Sequence, residues 1–351
     1  MRRILNHFSF LFFLLFVFLS NNFSEDFLDF YKKGERALNQ KNYDEAINYL
    51  SKSIKSWVSR YGKKSLSIVY NLRGIAYSEL GEYEKAIEDF QEAIKLNPKY
   101  EEAFNNRGIV YYNKSDYEKA IEDFSEAIRL KKEYKEAFYN RGLAFLEIGD
   151  YKGAVEDFSE TIRLDPINVE AYNNRGMAYL RMGLEDKALN DFTKGIDLNP
   201  EYWKSYFNRG ILYSENKEHN KAIEDFSEVI RLDPANAEAY NNRGICYAEI
   251  EEFEKAILDF TQAIKLKHDY NEAYFNRGVC HQKIEEHQKA IDDFSEVIRI
   301  NPSDSEAFYR RGLSYYNLEM KEKALSDLKK AVDLGYDLAR EFLRKNYKID
   351  Y

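Results

Sequence analysis

From residue 67 onward, apolar and polar positions follow helical rather than strand spacing. In 67–100, Tyr70, Gly74 and Tyr77 share one stripe, and Tyr83, Ala86, Ile87, Phe90, Ala93 and Ile94 share another at i, i+3, i+4. Gly81 separates the two stripes, and Asn97-Pro98 ends the second. The pattern predicts two amphipathic helices of roughly 14 residues, each about 21 Å long. One such hairpin cannot cover both stripes by itself, so it needs copies stacked beside it.

The copies follow directly. Arg-Gly recurs at Arg73-Gly74, Arg107-Gly108, Arg141-Gly142, Arg175-Gly176, Arg209-Gly210, Arg243-Gly244, Arg277-Gly278 and Arg311-Gly312, always 34 residues apart. Twelve residues after each glycine stands an alanine, from Ala86 to Ala324, and four further on stands phenylalanine, or Leu328 in the last copy. This spacing resembles the tetratricopeptide repeat, with its aromatic, L-G-x-x-Y, A-x-x-x-F and Pro signature. The resemblance implies an all-α fold: an α-solenoid of stacked antiparallel helix pairs (TPR superhelix). Small residues at the glycine and alanine slots let the two helices approach where large rings fill the space beside them. Two departures stand out. Arginine replaces the leucine before the glycine, and Lys132 and His268 occupy the proline slot in two copies.

The organisation expected is a signal peptide or N-terminal anchor over 1–24, then a divergent first repeat over 25–66 with an extended second helix. Eight units follow over 67–338, and a capping helix with a tail over 339–351. Phe8 to Leu19 is apolar apart from Ser9 and follows Arg2-Arg3, which suits an export signal better than a membrane-spanning helix. The repeats are therefore expected outside the cytoplasmic compartment: periplasmic, secreted, or anchored to a membrane by the N-terminal segment. The first repeat keeps Phe30, Gly34, Ala37, Tyr43, Ala46 and Leu50 in register, but the glycine of the next repeat, Gly74, is 40 residues on. Six extra residues thus fall in 51–65. An atypical terminal copy is expected, because it has a neighbour on one side only.

The arginine departure comes with a second one. All eight arginine-bearing copies carry aspartate before the phenylalanine slot: Asp89, Asp123, Asp157, Asp191, Asp225, Asp259, Asp293 and Asp327. The first repeat has Lys33 and Tyr49 there, losing both together. A hairpin that pairs Gly74 with Phe90 sets Arg73 beside Asp89. One structural ion pair is predicted inside each of the eight repeats.

In the family that this chain resembles, the first helices line the concave side. Two columns there are candidate partner-binding positions. One is Asn106, Asn140, Asn174, Asn208, Asn242 and Asn276; the other includes Asn105, Tyr139, Asn173, Phe207, Asn241 and Phe275. Amides that donate and accept, next to aromatics, suit an extended peptide. The same amides could instead bridge neighbouring helices. A glutamate row (Glu102, Glu136, Glu170, Glu238, Glu272, Glu306) opens the same helices, where it also favours the positive helix ends. Some relatives hold chaperone C-termini in a Lys/Arg/Asn carboxylate clamp. Aliphatic residues, asparagines and glutamates fill those slots here, so that function does not transfer.

The 52 basic residues, less Arg2 and Arg3, leave 50 against 61 acidic, a net charge of −11. That argues against nucleic acid, which needs a basic stripe. Acids on the outer helix face, such as Glu88, Glu122, Glu156, Glu224 and Asp292, stand three or four residues from Lys or Arg and suit a solvated face.

Cys246 and Cys280 take a slot that holds alanine or serine in other copies, and His281 and His287 replace aromatics. All four read as packing residues, and no metal or cofactor is expected. No phosphate loop, nucleophile elbow or H-E-x-x-H motif occurs. Every polar candidate recurs in register, whereas catalysis needs a unique constellation. The sequence therefore reads as a non-catalytic scaffold of about nine units that binds protein or peptide segments. The alternative is a structural protein of the cell envelope that assembles with itself into a homo-oligomer.

Overall fold

The computed structural model describes residues 25–349; the expected signal or anchor over 1–24 lies outside them. The described residues contain nineteen α-helices, one 3-10 turn and no strand. They divide into two units after Leu164.

The first unit holds four hairpins: Glu25–Asn39 with Tyr43–Ser56, Gly62–Glu79 with Tyr83–Leu96, Glu101–Asn113 with Tyr117–Leu130, and Lys135–Glu147 with Tyr151–Leu164. The second holds five: Val169–Arg181 with Glu185–Leu198, Trp203–Glu215 with His219–Leu232, Ala237–Glu249 with Phe253–Leu266, Asn271–Lys283 with His287–Ile300, and Ser305–Asn317 with Lys321–Asp333. A last helix, Asp337–Tyr347, follows. Within each unit, the first helices of consecutive hairpins meet more closely than the second helices do. The first helices therefore take the inner side of each stack.

Close approach explains the glycine column. A Cβ added at Gly74 would lie 2.8 Å from Phe90 Cε1, and one at Gly176 would lie 2.6 Å from Phe192 Cε1. The phenylalanine ring lies close against the bare backbone, and the alanines twelve residues after each glycine are fully buried.

Between the two helices the chain turns through a left-handed residue. Gly81, Gly149 and Gly183 take this conformation at little cost. Ser115, Lys217, Glu251, Glu285 and Glu319 take it with φ of 59–63°. The turn itself imposes it: Gly81 N–H returns to Ser78 O (3.0 Å) and Glu82 N–H to Tyr77 O (2.9 Å).

The first hairpin departs from expectation in one respect. Its second helix is not extended: Tyr43–Ser56 has 14 residues, like its counterparts. The six extra residues form the 3-10 turn Ser59–Tyr61 and lengthen the following first helix, which runs 18 residues from Gly62 to Glu79. The aromatic rings decide this. Trp57 leaves the helix in an extended conformation and its Nε1 donates to Gly62 O, while Tyr61 stacks on Phe27 at 4.7 Å. At the other end, Leu343 and Ala339 of the last helix are buried against Leu328, Ala331 and Val332.

Candidate interaction face

Two polar seams hold neighbouring helices together, and they determine which side chains stay accessible. The first seam is built on the arginine column. In all eight copies Nε donates to one aspartate oxygen and Nη2 to the other, at 2.6–3.0 Å. The pairs are Arg73–Asp89, Arg107–Asp123, Arg141–Asp157, Arg175–Asp191, Arg209–Asp225, Arg243–Asp259, Arg277–Asp293 and Arg311–Asp327. The arginine side chains are 17–21% exposed and the aspartates 2–9%. Burial raises the carboxyls of Asp89, Asp123, Asp157, Asp225 and Asp293 above their ordinary range, with the facing arginine opposing it.

Each guanidinium also lies against one or two aromatic rings of its own helix, Arg73 at 5.5 and 5.7 Å from Tyr70 and Tyr77 and Arg277 at 5.6 Å from Tyr274 alone. The third guanidinium corner reaches the preceding repeat. Arg73, Arg141, Arg209, Arg243, Arg277 and Arg311 donate from Nη1 to Ser51, Ser125, Thr193, Ser227, Thr261 and Ser295 at 2.9–3.2 Å. The arginine is thus a brace that closes its own hairpin and ties it to the one before. The hydroxyl column recurs with the same period and was the readable signal for this second link.

His281 shows what fills the brace when an aromatic is exchanged. It occupies the tyrosine slot, is buried, and sets Nδ1 2.7 Å from Glu286 Oε2 and Nε2 3.9 Å from Asp293 Oδ2. Cys246 and Cys280 are buried free thiols, and burial pushes Cys280 up to about 12.

The second seam runs between first helices. Asn106 donates to Asn71 Oδ1 (3.1 Å), Asn140 to Asn105 Oδ1 (3.1 Å) and Asn208 to Asn173 Oδ1 (2.9 Å). Asn105, Asn106, Asn140, Asn173 and Asn241 are only 0–8% exposed. These five are enclosed between helices and unavailable to a partner, which corrects their reading as binding positions. An amide pair satisfies itself most readily where two helices exclude water. Tyr139, Asn174, Phe207, Asn208, Asn242, Phe275 and Asn276 remain partly accessible.

A column that the sequence reading passed over lies on this side. Tyr100, Tyr134, Tyr202 and Tyr270 each precede a first helix, and burial raises all four phenols, Tyr202 and Tyr270 to about 12. Nearby glutamates add to the shift: Glu102 and Glu136 at Tyr134, Glu170 at Tyr202, Glu272 and Glu238 at Tyr270. These glutamates therefore lie close enough to the phenols to act on them electrostatically in each unit. Where asparagine or aspartate replaces the tyrosine, its side chain caps the helix instead, Asn168 accepting from Ala171 N–H at 2.8 Å. The 34-residue recurrence of tyrosine was the signal.

Family models described as TPR repeat match residues 74–115, 110–149 and 144–183, and models described as Tetratricopeptide repeat match 169–202, 203–236, 237–270, 272–304 and 305–334. The chain belongs to the tetratricopeptide repeat (TPR) family. Solved structures agree on the fold. A TPR protein from Parabacteroides merdae is 20% identical, covers 73% of this chain and 99% of its own, and has a TM-score of 0.55. Pseudomonas aeruginosa pilF is 19% identical, covers 60% and 96%, and has a TM-score of 0.53. YrrB, described as a TPR protein with an unusual peptide-binding site, is 24% identical over 53% of this chain and 96% of its own, at a TM-score of 0.46. No curated protein matches the chain significantly. TPR proteins are generally non-catalytic, and the TPR fold supports protein or peptide partners, which makes this chain a protein-interaction scaffold.

Proposed function

We propose that this TPR protein is an exported or membrane-anchored scaffold of nine repeats that holds extended protein segments on the inner side formed by its first helices. The observation that carries the reading is the glutamate row at the start of the first helices, with Glu170, Glu238 and Glu272 exposed and Glu102, Glu136 and Glu306 partly so, while the amides beside it are largely enclosed. Half-buried Phe207 and Phe275 lie in the same helices and offer apolar contact between the polar rungs. A surface of carboxylates, phenols and amides favours neutral or basic segments, whose backbone amides and lysine or arginine side chains find acceptors there. The chemistry is repeated and not concentrated at one place, which suits contact along a segment.

The test compares two double variants in native membranes by cross-linking and mass spectrometry. Glu238→Arg with Glu272→Arg reverses the inner row, and Glu224→Arg with Asp292→Arg reverses the outer one. Loss of partners from the first and retention by the second supports the reading; unchanged partners in both overturn it. Export is tested separately by the cellular fraction that holds the protein.

A further inference from the structure

The first hairpin breaks the charge pattern of its eight successors at one place after another. The hairpin itself, 25–56, carries six Lys and Arg against six Asp and Glu, a net of zero, and the connection with the start of the next helix, 57–66, adds Arg60, Lys63 and Lys64 with no acid. Residues 67–351 carry 41 against 55, a net of −14. Part of the exchange falls on the second helix of the hairpin. Where Glu88, Glu122, Glu156, Glu224 and Asp292 stand in later copies, the first has Asn48; where the brace aspartate stands, it has Tyr49. Five later copies place an i, i+3 pair on the second helix: Glu92–Lys95, Glu126–Arg129, Glu160–Arg163, Glu228–Arg231 and Glu296–Arg299. The first copy has Lys52 and Lys55 in those slots. Both are exposed, and neither forms an ion pair among the described residues.

These cations surround an aromatic pair. Phe30 and Tyr49 stack at 6.5 Å, and Lys52 Nζ lies 5.9 and 5.4 Å from their ring centres. Lys33 Nζ lies 6.0 Å from Tyr49 and pairs with Asp29 at 2.6 Å. Half-buried rings beneath flexible lysines are the composition that settles at a lipid headgroup layer.

We propose that this outer face of the first TPR hairpin docks on a bilayer leaflet that carries anionic lipid. The tether argument fixes the occupant. Leu19, the end of the apolar run, is six residues from Glu25, a span of at most about 20 Å. With that run in a bilayer, the first hairpin stays near the headgroups, within about two Debye lengths. Each exposed lysine there multiplies partitioning roughly fivefold. The acidic remainder is repelled, so contact stays confined to the first hairpin. Delivery to the surface rests on reading 1–24 as an export signal or anchor; the docking face does not.

The experiment uses the full chain in vesicles of phosphatidylcholine alone or with about one-third phosphatidylglycerol. Lysines are acetylated and read by peptide mass spectrometry. Labelling of Lys52 and Lys55 is expected to fall severalfold on the anionic vesicles relative to exposed Lys217 and Lys321, and to recover in high salt. Equal labelling on both vesicles overturns the proposal. So does equal protection without lipid at high protein concentration, which assigns the face to an acidic copy of the chain. Carbonate extraction reports separately whether the N-terminal segment inserts. Where it does not, salt-sensitive sedimentation with anionic vesicles replaces the labelling. Lys52→Glu with Lys55→Glu should abolish that sedimentation while circular dichroism stays unchanged, and retained binding overturns the proposal.

Discussion

The arginine brace and the asparagine seam solve the same problem in different ways. Both join one TPR hairpin to the next with buried polar groups. The Arg–Asp pair of the brace is present in each of the eight copies, with six links to the preceding hairpin, whereas the asparagine seam is interrupted. Phe207 and Phe275 hold the acceptor slot that Asn71, Asn105 and Asn173 fill elsewhere. A guanidinium has five donors in a fixed fork and cannot shed its charge, so omitting any partner leaves a buried cation exposed to a large penalty. A neutral amide loses one hydrogen bond, and an aromatic ring of similar breadth can replace it. Charge therefore keeps one seam uniform and neutrality lets the other vary.

The largest expected effect breaks the brace on one side. Asp157→Ala leaves Arg141 buried without its partner and should cost about 3 kcal/mol. Replacing both, Arg141→Leu with Asp157→Leu, should return most of that loss. Hydrogen exchange within 135–164 measures both, and equal losses in the two variants would count against the argument. Gly74→Ala puts a methyl group 2.8 Å from Phe90 Cε1. Its expected cost is about 2 kcal/mol from overpacking, read by the denaturation midpoint of the hairpin.

On the asparagine seam, Asn105→Ala strands the buried Asn140 donor and should cost about 1 kcal/mol. Asn242→Ala, with Phe207 in the preceding acceptor slot, should be nearly neutral. Equal costs would erase the distinction between the two positions. The turns offer a gain of similar size. Lys217→Gly and Glu251→Gly relieve left-handed backbone and should each raise stability by about 1 kcal/mol.

The smallest effect concerns pH, and its sign differs between buried and partly covered carboxyls. Burial raises Asp157 in the folded state. Its contribution to stability is full below the ordinary carboxylate range and declines as pH rises through the folded value. Asp116 is only partly covered, and its hydrogen bond with Lys119 lowers it. Its contribution is present above the ordinary value and is lost as pH falls through the folded one. Carboxyl carbon chemical shifts should place Asp157 above 3.8 and Asp116 below it. The reverse order would contradict the burial argument.

Much was legible because periodicity is a local property of the chain. The 34-residue spacing of Arg-Gly, alanine and phenylalanine determines the helices, their pairing and the eight repeats, since only a stacked hairpin buries both apolar stripes. The joint loss of arginine and aspartate at Lys33 and Tyr49 marks the Arg–Asp pair in the sequence alone. What lies beyond one hairpin was decided by tertiary packing. Whether an asparagine meets a partner or another asparagine depends on how closely two first helices approach, and helix spacing is set by side chains on both. The six extra residues around Trp57 went into the next first helix because Tyr61 finds Phe27, a contact between positions 34 residues apart. Sequence determined the repeating unit; packing between units decided which of its polar side chains remain free.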